Sequence, residues 1–233
     1  MPTTVFRNRT DAGEVLARHL TAYAGRKNLI VLGLPRGGVP VACMVARALG
    51  ARLDILLVRK LGVPGHEEYA MGAIASGGAR VLQQDIISRL RIPMAAVEAA
   101  TQREQAELER RERLYRGERP EPRLADAVVM LVDDGLATGS TMKVAIQAVR
   151  QSNPSRIVVA VPVGAQEACE ALQTDVDDLI CPMRPVPFFS VGQWYQDFQQ
   201  TTDDEVRTLL TQAEKSHSQT HPHLPGSNPA DPD

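Results

Sequence analysis

The feature that most constrains this chain is the run Val128-Val129-Met130-Leu131-Val132, apolar at every position and ending in two adjacent acids, Asp133 and Asp134. A strand exposed on one face alternates apolar with polar residues. A strand without that alternation suits a parallel sheet covered by helices on both faces. The acids then emerge at the carboxyl edge of the sheet, where open α/β folds bind ligands. A loop of small and hydroxyl residues follows, Ala137-Thr138-Gly139-Ser140-Thr141, and then a helical pattern from Lys143 to Val149. Little side-chain bulk lets backbone N–H groups approach an anion at the helix N-terminus, where unpaired amides and the helix dipole favour negative charge. Thr138, Ser140 and Thr141 add hydroxyl donors. Strand, acid pair and amide cup together suit a phosphorylated, hydroxyl-rich ligand. A plain helix cap would need one acid and no hydroxyl cluster.

Other apolar runs repeat the strand signal, at Leu29–Gly33, Leu53–Val58, Arg156–Val161 and Asp178–Cys181. Helical patterns cover 41–49, 166–172 and 203–213, so the expected fold is α/β, with an open, mostly parallel twisted sheet flanked by helices. Asp11-Ala12-Gly13-Glu14 has capping-box spacing and opens a first helix that Gly25 is expected to end. Directly after the first strand, Leu34-Pro35-Arg36-Gly37-Gly38 can wrap backbone and one cation around a second anion. Arg59 and Lys60, expected at the carboxyl end of the second strand, can serve the same polyanion.

Residues 65–78 read as a loop leading into a short hairpin, Gly72–Ile74 against Arg80–Leu82, with glycine on both sides to permit movement. From Gln84 to Gly117 the chain is charged and helical. Its arginines alternate with Glu104, Glu107, Glu109 and Glu112, which suits a solvated face or a homodimer contact better than a nucleic-acid face. Phe188, Phe189, Trp194, Tyr195 and Phe198 concentrate aromatics that the rest of the chain nearly lacks, in keeping with a flat ring held by stacking or with a satellite core.

The stretch from Val128 to Met142 resembles the phosphoribosyl pyrophosphate (PRPP) signature of the type I phosphoribosyltransferases, in which apolar residues lead into two acids and a T-G-S/T-T-like loop. The resemblance implies that Asp133 and Asp134 hold the ribose hydroxyls, with Mg²⁺ nearby, and stabilise charge on the sugar during catalysis. Ala137, Thr138, Gly139, Ser140 and Thr141 would take the 5-phosphate. Pro35, Arg36, Gly37 and Gly38 would take pyrophosphate, on a loop that in the family often carries a cis peptide, here joining Pro35 to Arg36. Arg59 and Lys60 resemble the pyrophosphate-contacting pair of orotate enzymes. His66 stands near their catalytic histidine, one residue further along, whereas their additional lysine has no counterpart at Val63, Pro64 or Gly65.

The family's C-terminal hood would put Phe189 over the base and Val191 backbone groups at its edge, with a flexible lid, and a transferase that releases pyrophosphate from PRPP would follow. Ala137 occupies the place of the acid that purine salvage enzymes use on the base, and orotate and uracil enzymes also have alanine there. The acceptor base therefore stays open. Overall the chain is most similar to a subgroup of phosphoribosyltransferases sharing L-P-R-G-G-V-P, V-R-K-L-G and V-G-Q-W-Y, with no settled substrate. A non-catalytic PRPP or nucleotide sensor on the same fold is the competing reading. A dinucleotide oxidoreductase would need a G-x-G-x-x-G after a strand, which the sequence lacks.

Composition narrows the setting. With 233 residues, 43% of them hydrophobic, one sizeable core is expected. We expect a single domain over 1–215, with lid and inserted helix at about 61–122, a hood at about 178–200, and a disordered tail from 216 to 233. A net charge of -2 argues against a general nucleic-acid or membrane-surface binder. Cys43, Cys169 and Cys181 have no metal or disulfide spacing, and no signal peptide or membrane-length apolar run is seen, so a cytoplasmic protein is expected.

Overall fold

The computed structural model describes residues 5–117 and 119–220. Five parallel strands form the central sheet: β1 (Leu29–Gly33), β2 (Arg52–Ile55), β6 (Val128–Val132), β7 (Arg156–Ala160) and β8 (Asp178–Ile180), in the order β2-β1-β6-β7-β8. All five residues of β6 are buried. Val128, Met130 and Val132 enter the core on one face, and Val129 and Leu131 enter it on the other. That two-sided burial is why the run is apolar throughout.

The first face is covered by α1 (Arg9–Arg18), α2 (Gly38–Leu49), α4 (Met94–Arg116) and α7 (Asp203–Thr220). Helices α5 (Ser140–Arg150) and α6 (Gln166–Gln173) cover the second. From β1 the chain crosses to β2 on one side, whereas β6 lies on the other side and leads to β7 and β8. The carboxyl ends of β1 and β6 therefore flank the switch point, the place where doubly wound sheets open a crevice. Among the described residues no helix is long and apolar enough to cross a membrane.

A second, antiparallel sheet carries the main departures from expectation. The run Leu53–Val58 is not one strand. β2 stops at Ile55, and β3 (Val58–Val63) begins in a sheet with β4 (His66–Ala75) and β5 (Arg80–Leu82). The break lies at Leu56-Leu57, where Ser76 takes both backbone groups of Leu57: its Oγ accepts from Leu57 N at 3.0 Å and its N–H donates to Leu57 O at 2.9 Å. Leu56 and Leu57 are buried all the same, so hydrophobicity alone gives no sign of the turn.

The expected loop from Gly65 is a strand, β4, which pairs with β3 from Val63↔His66 to Val58↔Ala75. The shorter pairing of Gly72 with Leu82 and Ile74 with Arg80 is as expected. Helix α1 starts at Arg9, capped by Asn8 through the Asp11 N–H, and ends at Arg18 rather than at Gly25. The charged segment is two helices, α3 (Gln84–Arg89) and α4, separated at Pro93. Helix α7 runs on to Thr220, so residues 216–220 of the expected tail are helical; the rest of that tail lies outside the described residues.

Candidate active site

Asp133 and Asp134 leave the end of β6 where the glycine loop leaves β1. Leu34 N–H donates to Val132 O at 2.9 Å, which ties the two exits together. The Pro35–Arg36 peptide is cis, as the loop's resemblance implied. The two glycines after it are needed for approach. A Cβ on Gly38 would lie 2.9 Å from Cα of Asp133, and one on Gly37 would meet Oδ2 of Asp134 and lie 2.8 Å from its Cγ. Acid pair and glycine loop are thus in contact.

The acids differ in surroundings. Asp134 accepts from Nε of Arg9 at 2.8 Å, and its backbone carbonyl accepts from the Tyr195 hydroxyl at 2.5 Å. Asp133 accepts at Oδ1 from the Asp134 N–H at 2.8 Å. Burial, and then the neighbouring Asp134 charge, push Asp133 well above the usual carboxylate range. Burial also raises Asp134, while the Arg9 hydrogen bond and charge oppose the rise. Burial and then the Asp134 charge push the Tyr195 hydroxyl up. A pair of desolvated acids this close stores an unfavourable energy that a cation or a donor-rich ligand would relieve.

Next in the chain, Gly139 takes a left-handed conformation (φ 73°) and turns it into α5. The first helical hydrogen bond runs from Lys143 N to Gly139 O at 2.8 Å, and no side chain caps this helix end in the manner of an Asp or Ser cap. Thr138 and Ser140 hydroxyls lie 3.1 Å apart at its mouth. Ala137, Thr138, Ser140 and Thr141 are exposed, and the Ser140 N–H donates to Thr138 Oγ1 at 3.4 Å.

Not all the expected residues converge. Arg59 and Lys60 lie on β3, in the second sheet, because the chain turns at Leu56-Leu57. They line a cavity of about 280 Å³ with Glu67, Arg103 and Glu104, and Nε of Arg59 donates to Glu104 at 2.8 Å. His66 is exposed at the turn of the β3–β4 hairpin, on that same sheet. Arg36 stays on the glycine loop, 3.7 Å from Asp203 at the start of α7. Asp203 also accepts from the Tyr115 hydroxyl at 2.5 Å.

The aromatic segment divides. Trp194 and Tyr195 are buried with Phe6, Ala12 and Val163 in a satellite core, whereas Phe189 is 81% exposed. Val191 packs on Gly135, where a Cβ would come within 2.5 Å of it. Phe189 is therefore free to meet a ring, beside a segment anchored on the acid loop. Arg9 is a site residue that no motif revealed, and Tyr195, although part of the V-G-Q-W-Y stretch, had no expected contact with the acids. They reach Asp134 from 125 and 61 residues away, and only the fold brings them there.

Residues 6–196 match the phosphoribosyl transferase domain family. The chain belongs to that family. Two Mycobacterium tuberculosis proteins, from strains CDC 1551 and H37Rv, provisionally named phosphoribosyl transferases, are each 42% identical to this family member over 215 residues. The match takes in 92% of this chain and 48% of theirs, so the chain spans about half the length of these curated relatives. The crystal structure of TT1426 from Thermus thermophilus is 41% identical, with a TM-score of 0.79, over 89% of this chain and 98% of that one. The parallel sheet and its helices are thus those of a phosphoribosyl transferase domain.

Members of this family imply Mg²⁺, and the residues fit it in a limited way. Among the described residues no group of three or more His, Cys, Asp or Glu side chains could hold a metal. Asp133 and Asp134 are two hard oxygen donors, which suits an ion completed by water and substrate oxygens rather than a protein cage.

Proposed function

We propose that the protein transfers the 5-phosphoribosyl group of PRPP to a nitrogen acceptor and releases pyrophosphate. The observation that carries this reading is the contact of Gly37 and Gly38 with Asp134 and Asp133. On this reading the glycine loop, the acid pair and the loop before α5 meet the pyrophosphate, ribose and 5-phosphate of PRPP in that order.

In the reaction the acceptor nitrogen forms a bond to C1 of the ribose as the bond from C1 to the pyrophosphate oxygen breaks; the electron pair leaves with pyrophosphate, and the proton the nitrogen gives up passes to pyrophosphate or water. Asp133 and Asp134 hold the sugar hydroxyls and stabilise positive charge developing on the ring. Pro35, Arg36, Gly37 and Gly38 receive the leaving group. Ala137, Thr138, Gly139, Ser140 and Thr141 fix the 5-phosphate through backbone amides and hydroxyls. Electrostatic stabilisation is the largest expected contribution. Asp133 and Asp134 would also hold Mg²⁺, which would supply charge to offset that of the pyrophosphate. Phe189 stacks on the acceptor ring beside Val191. The β3–β4 hairpin, with Arg59, Lys60 and His66, serves as a lid that brings further cations to the leaving group and excludes water.

The second reading, a PRPP or nucleotide sensor without turnover, is favoured by one observation: Arg59 is engaged by Glu104 rather than free for a pyrophosphate. Calorimetric titration with PRPP, followed by a pyrophosphate-release screen over free bases, separates the two. Release on at least one base is expected, and Asp133→Asn with Asp134→Asn should abolish it. Binding without release on any base would favour the sensor, and an unchanged rate in the double variant would remove the acids from the mechanism.

A further inference from the structure

Arg9 belongs to none of the loops described so far, yet it meets three of them. Its Nε donates to Oδ2 of Asp134 at 2.8 Å, and its Nη1 donates to the backbone carbonyl of Gln199 at 2.6 Å. Its guanidinium carbon lies 4.0 Å from the centroid of the Phe198 ring. The third partner is Gly37, where a Cβ would lie 3.2 Å from Nε of Arg9 and would collide with the Asp134 carboxylate. The ion pair therefore fills the notch left by the side chain that Gly37 lacks. Its members are 11% and 15% exposed, so salt and water screen it weakly.

Folding alone does not call for this placement. Helix α1 is already fixed by Leu16 and Ala17 in the main core and by the Asn8 cap. The Tyr195 hydroxyl holds only the backbone of Asp134. Among the described side chains, the one that hydrogen-bonds the carboxylate is Arg9. A lysine could supply the charge, but it lacks the planar fork that reaches a carboxylate and a carbonyl at once while lying on a ring.

We propose that Arg9 is a positioning residue that aims the Asp134 carboxylate and fastens Phe198 and Gln199 beside it, so that the acid pair and the aromatic cover form as one unit. Its consequence for PRPP rests on the function proposed above; the link itself does not.

Two measurements separate the claims. Trp194 is the single tryptophan and sits in the aromatic segment. Acrylamide quenching of its fluorescence should rise in Arg9→Gln and in Asp134→Ala, and should rise no further in the double variant, because both changes cut one link. Arg7→Gln, which removes a pair with Asp11 within the same turn, should leave quenching unchanged. Additive increases, or no increase in Arg9→Gln, would overturn the proposal. In calorimetry, Arg9→Gln should weaken PRPP binding about tenfold, as the loss of one charge-assisted contact implies, and Arg9→Lys should restore only part of it. Unchanged PRPP affinity in Arg9→Gln would overturn the aiming role. Wild-type protein that does not bind PRPP would instead sink the proposed function, with the quenching cycle still deciding the link. Thermal midpoints establish that each variant is folded; should Arg9→Gln fail to fold, Arg9→Lys carries the same comparison.

Discussion

At the scale of single residues, the site depends on a missing atom. Gly37 has φ -63° and ψ -33°, a conformation that alanine adopts without strain. Any cost of Gly37→Ala therefore comes from space alone. The new methyl would take the position that the Asp134 carboxylate and Arg9 share, and neither can move without losing the other. The variant should fold with a near wild-type circular dichroism spectrum and bind PRPP at least about tenfold more weakly, read by calorimetry. Equal affinity would show that the crowding at Gly37 is irrelevant to the ligand.

At the scale of elements, a buried cation joins α4 to the end of β2. Arg116, at the end of α4, is 6% exposed in its side chain. It donates to Asp54 of β2 at 2.9 Å, to the Ile55 carbonyl at 2.8 Å and to Glu121 at 3.0 Å. These bonds hold α4 against the strand end where the chain leaves the parallel sheet. Arg116→Ala would leave buried Asp54 with only the Ile55 N–H and a looser pair with Arg52 at 3.8 Å, and should cost about 3 kcal/mol, measured by chemical denaturation. A loss below about 1 kcal/mol would mean that water replaces the guanidinium.

The same region marks where sequence reading succeeds and where it stops. β1 and β6 were legible to the residue, because local apolarity and two-sided burial coincide at Leu29–Gly33 and Val128–Val132. Asp133, Asp134, Gly37 and Gly38 were legible as neighbours, because strand ends in a parallel sheet share an edge. Arg59 and Lys60 were misplaced, since the turn at Leu56-Leu57 is made by the distant Ser76 and leaves no local trace. Arg9 was invisible for a similar reason: it carries no motif, and its partner lies 125 residues away.

At the scale of the whole molecule, the acid pair sets stability against function. A carboxyl whose folded value is raised above its ordinary one contributes stability below that ordinary value and loses it as pH rises through the folded value. For Asp133 the window opens near 3.8 and extends upward. Paired acids such as Asp11 and Glu107 work in the opposite direction, being held below their usual range by Arg7 and by Arg110 and Arg111. Comparison with Asp133→Asn isolates the first effect. The variant should melt higher than wild type at neutral pH, and the gap should close as pH falls toward about 4. A gap that is constant with pH, or reversed, would show that Asp133 is not held protonated by folding.

Phe6 N–H donates to Trp194 O at 2.9 Å, and Gln196 N–H donates back to Phe6 O at 2.8 Å. This small parallel bridge joins the segment before α1 to the aromatic stretch far along the chain. On a ribosome, then, the early segment waits for its partner until every strand between them has been made. The glycine loop and the acid pair are synthesised before the aromatic stretch exists. A nascent chain can therefore complete all five strands of the central sheet before Phe6 meets the stretch it bridges to.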